Sequence, residues 1–450
     1  SRETPLMSST GPDRPPAFVL FTDLPKAGAY LAAIAGRGLH SLVVTGPPRW
    51  PLEQVAVSCV GRAGHPFEAV ERLEFLAPDD TAGILTRVST WAGAYDIKGV
   101  FASSETFVEP AALATDLLGL PGVGLRAARV CRNKHLQRLY LGEFSPVSVL
   151  STAPRDTILD TLDGHYPVIS KPLDLYCSIG VRILRDRAAL EAHLDSGQRT
   201  PTLLEQCVSG REFSVETIVT GGRPVFSEVT QKATNEKEGE FFVEMTHTLP
   251  AANVTPDEAR RLKEAQETIL ARLEFGTGMA HGEYRLLPDG GVALMEIAAR
   301  PPGDGILHLY HLATGASVED SVVGAALGEP VLHPRAVRRT RQIYFDHEPG
   351  TLGDVTVEAG EECAGADPYW VVEHGLWPTL EPVAADAPAR LGKVLVLKAR
   401  GAGLEPLTDS FGRAVTALFD APGPEELERF DSAVREAVRV SVERRAEEPA

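Results

Sequence analysis

Cysteine is scarce and scattered. Cys59, Cys131, Cys177, Cys207 and Cys363 make no Cys-x-x-Cys and share no histidine at zinc-ligand spacing. That argues against a zinc site and a disulfide framework, and for thiols in a reducing compartment. No apolar run approaches the roughly eighteen residues of a membrane span. No basic leader with a short apolar stretch opens the printed sequence, so a cytoplasmic location is expected. Positive charge is short as well. Lys and Arg number 44 against 62 Asp and Glu, a net charge of −18. Non-specific binding to nucleic acid or an anionic membrane needs the opposite balance. No Gly-x-Gly-x-x-Gly follows the first apolar run, and no Gly-x-x-x-x-Gly-Lys-Ser/Thr occurs, so dinucleotide and P-loop fingerprints are both missing.

What is present is an ordinary globular composition, 43% hydrophobic and 24% charged. Residues 17–125 alternate strand-like runs (Phe18–Phe21, Leu39–Val44, Val55–Val60, Ile97–Ala102) with helical patterns near Lys26–Ala35, Thr81–Trp91 and Glu109–Leu118. Such alternation predicts a parallel sheet covered on both faces, a Rossmann-like shell without its cofactor loop. A loose tail is expected over residues 1–16 and a frayed acidic end over 446–450. Thr255-Pro256-Asp257-Glu258 is a capping box, with Leu262, Ala265, Ile269 and Leu273 on one helical face and Gly276 where a C-cap belongs. From Gln342 the pattern returns to β, with strands at Gln342–Phe345, Val355–Val357, Val371–Glu373 and Lys393–Ala399. Helices are expected over Thr408–Leu418 and Pro424–Val442.

The chemistry gathers at residues 281–303. Two short β-like runs flank Pro288-Asp289-Gly290-Gly291, a strong hairpin signal. A two-residue turn on Asp289-Gly290 places Glu283 opposite Glu296 and His281 opposite Ala298. Arg285 shares the face of the glutamates. Tyr284, Leu286, Ala293, Met295 and Ile297 fall on the other, core face. Opposed like charges, roughly 4.5–5.5 Å apart at Cβ, are destabilising. Two readings are open at this point: a solvated face, or carboxylates that share a proton or a cation. Other candidates are isolated. Lys134 opens a helix, and Lys171 projects from a strand end before Pro172. Ser178 and Gly180 lie in the loop from Asp174, which could fold over a phosphate. Glu205 and Glu212 bracket a turn.

Taken in order, Lys134, Lys171-Pro, Ser178-x-Gly180-Val, Glu205-x-x-Val208-x-Gly210-x-Glu212, Glu283, Glu296, Arg300 and Gly303 resemble the ATP-grasp superfamily of carboxylate–amine ligases. His-x-Glu followed by Glu-x-Ala-Ala-Arg is similar to its bacterial L-amino-acid (dipeptide) ligase branch. The implied fold class is α/β and α+β: a Rossmann-like N-terminal domain (17–125), an ATP-grasp fold with a small lid subdomain (126–202) and a large subdomain (203–335), and a small β-rich C-terminal lobe (336–450). The resemblance implies ATP and Mg²⁺, or Mn²⁺, as cofactors. Lys134 and Lys171 would contact phosphates, with the Asp174–Gly180 loop and Ser178 as the lid over them. That loop lacks the family's extra glycines. Glu205, Gln206 and Val208 would form the adenine hinge, and Glu212 would accept from ribose. Glu283 and Glu296 would hold the metal. Many members carry Asn where this chain has Ala298, so His281 either supports a phosphate or carboxylate or is structural. Arg300 and the amide around Gly303 would serve the reacting phosphoryl group, and Glu244 and His247 the amino-acid substrate.

The implied reaction joins a small-molecule carboxylate to an amine through an acyl phosphate, and the family suggests a homodimer. Two alternatives stand beside it. One is another ATP-grasp chemistry, carboxylation or formate activation, although the absence of Met-Lys-Met disfavours a self-biotinylated carboxylase. The other is a catalytically silent nucleotide-binding scaffold.

Overall fold

A computed structural model describes residues 14–173, 180–197, 200–235, 243–358, 360, 363 and 366–444. The expected tail up to residue 13, Ser178 with most of its loop, and the acidic C-terminus lie outside the described residues. Among the described residues no helix is long and apolar enough to cross a membrane.

The N-terminal region forms a four-stranded parallel sheet in the order Val70–Phe75, His40–Thr45, Pro16–Phe21, Asp96–Ala102. Its two inner strands are buried on both faces, with Phe18 through Phe21 and Leu42 through Val44 fully covered, as a helix-flanked parallel sheet requires. The third strand is Val70–Phe75. The expected strand Val55–Val60 belongs instead to the helix Pro51–Ser58. Pro51 opens that helix, and the Glu53 carboxylate accepts from the amides of Arg49 and Trp50 at 2.6 and 3.2 Å. This N-terminal capping prevails over the β preference of Val55 and Val57.

A small antiparallel sheet follows, ordered Ser148–Leu150, Thr202–Gln206, Val168–Pro172, Arg182–Leu184. A nine-stranded sheet then runs Val292–Ala298, Gly278–Leu286, Arg211–Thr220, Arg223–Thr234, Glu244–Leu249, Arg339–Tyr344, Val415–Ala421, Arg390–Val396, Tyr369–Trp370. The helix Pro256–Arg272 carries the expected capping box and buries Leu262, Ala265 and Ile269 beside this sheet. Its end differs from expectation. Glu274 takes the left-handed turn (φ 51°), and Gly276 donates its amide to Val123. A Cβ on Gly276 would lie 2.4 Å from the Gly122 carbonyl oxygen, so that glycine permits close approach of two backbones.

The C-terminal expectations need three corrections. Val415–Ala421 is a strand rather than part of a helix, buried throughout and paired with Arg339–Tyr344 and Arg390–Val396. A fully buried strand has no alternation, so its apolar run is indistinguishable from a helix by period. Val371–His374 is a short helix, not a strand. The last helix stops at Ala437, and Val438–Glu443 is a strand paired with Gly350–Val357. Leu427, Phe430, Val434 and Ala437 are buried as expected.

Candidate active site

The hairpin forms with Glu283 opposite Glu296 and His281 opposite Ala298. Between Glu283 and Tyr284 the register shifts by one, so Met295 has no partner and Tyr284 faces Leu294. A β-bulge of this kind re-aims side chains and is common beside functional sites. Leu294 enters the core, and Met295, expected there, lines the cleft instead. Tyr284, Leu286, Ala293 and Ile297 are buried as expected. Pro301 and Pro302 end the second strand and leave Arg300 at its tip, facing the same cleft.

The opposed glutamates are each matched by a base, which corrects the picture of two carboxylates without protein partners. Lys134 Nζ lies 3.0 Å from Glu296. Glu283 binds the Lys232 ammonium and lies 3.4 Å from His281 Nε2. The neighbouring strand continues the pattern. Arg211–Thr220 pairs Glu212 with Arg285, Ser214 with Glu283 and Glu216 with His281. Arg285 Nη2 is 3.1 Å from Glu212, and His281 Nδ1 is 2.7 Å from Glu216. Glu216 is fully buried and also accepts from Tyr310 and Thr230, each at 2.7 Å. Burial opposes charge on His281, but Glu216 and Glu283 prevail and lift its pKa to about 9.

The two predicted phosphate lysines reach the cleft from the other side. Asn133 caps the helix Lys134–Tyr140 by accepting from Leu136 N at 3.0 Å, which fixes Lys134 at its start. Lys171 binds Glu205, and Arg138 grips the same carboxylate at 2.8 and 3.3 Å. Burial would raise the pKa of Glu205; Lys171 and Arg138 outweigh it and hold it at about 2. Its side chain is therefore engaged within the protein. The amides of Gln206 and Cys207 donate to Val147 and Pro167, and the Val208 carbonyl accepts from Arg285. Burial pushes the Glu212 carboxyl up in spite of Lys232 and Arg285.

At the far end, His247 Nε2 is 2.7 Å from Asp304 and 3.6 Å from Glu244. These three residues lie close enough to hold a metal ion, but cations of the protein already occupy the cluster. Arg413 clamps both Asp304 oxygens at 2.6 and 3.0 Å and stacks on Tyr344, and Lys232 binds Glu244. Glu244 lines the cleft; His247 is buried behind it. Arg300 is anchored from the N-terminal region, where Glu105 binds it and Arg132, the latter at 2.9 Å. Burial raises the Glu105 pKa, and the two guanidiniums lower it further still, to a net depression.

Of the described residues proposed from sequence, all but His247 line this one cleft. Lys232, Glu105, Asp304 and Arg413 were missed. Glu105 had a signal, since it follows the carboxyl end of a parallel strand, where ligands of α/β sheets bind. Lys232 stands as a charge at the end of a strand-like run. Arg413 gave none.

Residues 164–307 match the ATP-grasp domain family. This region is an ATP-grasp domain. The chain is 29% identical over 256 residues to dapdiamide A synthase of Enterobacter agglomerans, covering 53% of this chain and 58% of that protein. It is 24% identical over 242 residues to alanine–anticapsin ligase of Bacillus subtilis, covering 47% and 50%. It thus spans about half the length of these relatives. Among solved structures, an L-amino acid ligase from Bacillus licheniformis superposes with TM-score 0.69 over 96% of this chain and all of that one, at 20% identity. Phosphoribosylglycinamide synthetase from Anaerococcus prevotii gives 0.68 over 96% and all, at 13%. These neighbours share the ATP-grasp architecture.

Proposed function

We propose that this chain is an ATP-dependent ligase that joins the carboxylate of an amino acid to an amine, releasing ADP and phosphate. The observation that carries the reading is the convergence of Glu283, Glu296, Lys134 and Arg300, from three separate elements, on one cleft. In this reading a carboxylate oxygen of the donor attacks the γ-phosphorus and ADP leaves. The amine nitrogen then attacks the acyl carbon, phosphate departs, and the amine loses its proton. Phosphoryl transfer needs alignment and charge neutralisation more than covalent help. Lys134 and Lys171 supply point cations for phosphate oxygens. Gln206 through Val208 line the adenine side, with Glu205 fixing Lys171 and Glu212 facing the ribose. Arg300 and the backbone at Gly303 face the transferred group and the tetrahedral carbon. Glu244 receives the substrate's ammonium, and His247 acts through Asp304.

Mg²⁺ fits the hairpin, because its two part-exposed, opposed carboxylates form an oxygen-only donor set with room for phosphate ligands. Glu283 and Glu296 would hold it, with Mn²⁺ as a substitute, and it would supply positive charge to offset that of the phosphates. His281 keeps Glu283 in place rather than replacing the missing Asn as a ligand. The nucleotide would lie between segments 126–202 and 203–335, with 336–450 closing the far end through Arg413.

The test is phosphate release from ATP and Mg²⁺ with amino acids supplied singly and in pairs, with products read by mass spectrometry. ADP and a condensed product arising only with a competent pair are expected. ATP turnover indifferent to added amino acids, or no ATP binding with Mg²⁺, would overturn the proposal.

A further inference from the structure

Lys232 is the most deeply placed cation of the site. Its side chain is 1% exposed and does not line the cleft, yet three cleft-lining carboxylates converge on it. Nζ binds Glu244 and Glu283 and lies 3.9 Å from Glu212. These partners come from three different strands, Glu244–Leu249, Gly278–Leu286 and Arg211–Thr220. Other charged groups face the same carboxylates: His281 on Glu283, Arg285 on Glu212 and His247 beside Glu244. Glu244 and Glu283 converge on a single ammonium, and without it their oxygens would face one point where a divalent ion could sit, with Glu212 further off.

We propose that Lys232 is a resident cation under the cleft floor that keeps Glu244 and Glu283 from collecting a divalent ion on their own, so that metal enters only with the nucleotide. The inference rests on the metal reading of Glu283. Lys232 is a positioning residue: it meets the carboxylates from behind, where it touches neither phosphate nor substrate. The free ion must compete with an ammonium already bound to Glu283. An ion arriving on ATP brings its own phosphate ligands and needs less from the protein.

The experiment titrates Mn²⁺ into the full chain without nucleotide, following free Mn²⁺ by electron paramagnetic resonance. Lys232→Met is expected to bind Mn²⁺ about tenfold more tightly than the parent, since a neighbouring positive charge has been removed. Lys232→Arg, which keeps the charge, is expected to match the parent. Lys232→Gln keeps a hydrogen-bond donor and serves if the Met variant does not fold. Lys232→Met combined with Glu244→Gln removes one charge of each sign and should return the affinity towards the parent value. Unchanged or weaker Mn²⁺ binding in the neutral variants, or a gain in Lys232→Arg, would overturn the inference. Because no nucleotide is present, that failure leaves the ligase reading standing, which falls on ATP binding and product formation instead.

Discussion

Two carboxylates eight residues apart, Glu296 and Asp304, face the same cleft in opposite conditions. Glu296 is 29% exposed, and one of its oxygens receives Lys134; the other has no hydrogen-bond partner among the described residues. Asp304 is 14% exposed, and both of its oxygens are taken by Arg413, with His247 on one of them. A carboxylate with unused acceptor capacity at a cleft can bind something new. One saturated by a bidentate guanidinium can only hold shape. The cleft is thus divided into a receptive hairpin end and a rigid far end. Arg413, which makes the far end rigid, comes from just before the strand Val415–Ala421.

The largest expected effect lies at the receptive end. Glu296→Gln should lower ATP-dependent turnover on the order of 10³-fold, because a neutral amide is a poor ligand where phosphate charge must be balanced. Stability should change by no more than about 1 kcal/mol, since the amide oxygen still accepts from Lys134. Near-parent turnover would mean that receptiveness is not what distinguishes Glu296. At the rigid end the balance should invert. Asp304→Asn leaves the buried Arg413 guanidinium without its counter-charge and should cost about 3 kcal/mol in urea denaturation. A stable Asp304→Asn protein with altered chemistry would erase the division between the two ends.

A smaller effect tests whether anchoring can be separated from contact. Glu105 binds Arg300 from the N-terminal region and does not line the cleft. Glu105→Gln should reduce kcat about 10–100-fold, the usual scale for a group that orients a functional one. KM for ATP should hardly move. A shift confined to KM would place Arg300 in ground-state nucleotide binding.

This division also tracks what the sequence could reveal. The hairpin is a local object: an Asp-Gly turn between two runs sets which residues face each other, and Glu283 does face Glu296. The bulge at Met295 was invisible, because one extra residue in a strand leaves no mark in composition. Partners were harder than positions. Lys134 is 162 residues from Glu296, Lys232 is 51 from Glu283, and Arg413 is 109 from Asp304. Lys232 and Glu283 meet because their strands flank Arg211–Thr220 in the nine-stranded sheet, whereas Lys134 comes from a helix and Arg413 from just before a strand, and hydrophobic pattern supplies none of these placements. The N-terminal parallel sheet was legible because its strands and helices alternate. Val415–Ala421 was not, because burial on both faces removes the alternation that identifies a strand.

The smallest effect concerns Glu205, a second saturated carboxylate, held by Arg138 and Lys171. If saturation means structural charge pairing, its contribution must depend on pH in a defined direction. The folded-state pKa is about 2, below the ordinary value of 4.5, because Lys171 and Arg138 outweigh burial. A depressed carboxylate pKa stabilises the fold above the unfolded-state value and loses that contribution as pH falls through the folded-state one. The stability gap between the parent and Glu205→Gln should therefore be constant from pH 7 to about 5. It should then shrink towards pH 2, with a slope of at most about 1.4 kcal/mol per pH unit. Comparing the two proteins at each pH cancels the acid unfolding they share. A gap that stays level to the acid limit would show that Glu205 acts by shape and hydrogen bonding alone. The difference between receptive and saturated carboxylates would then rest on geometry rather than charge.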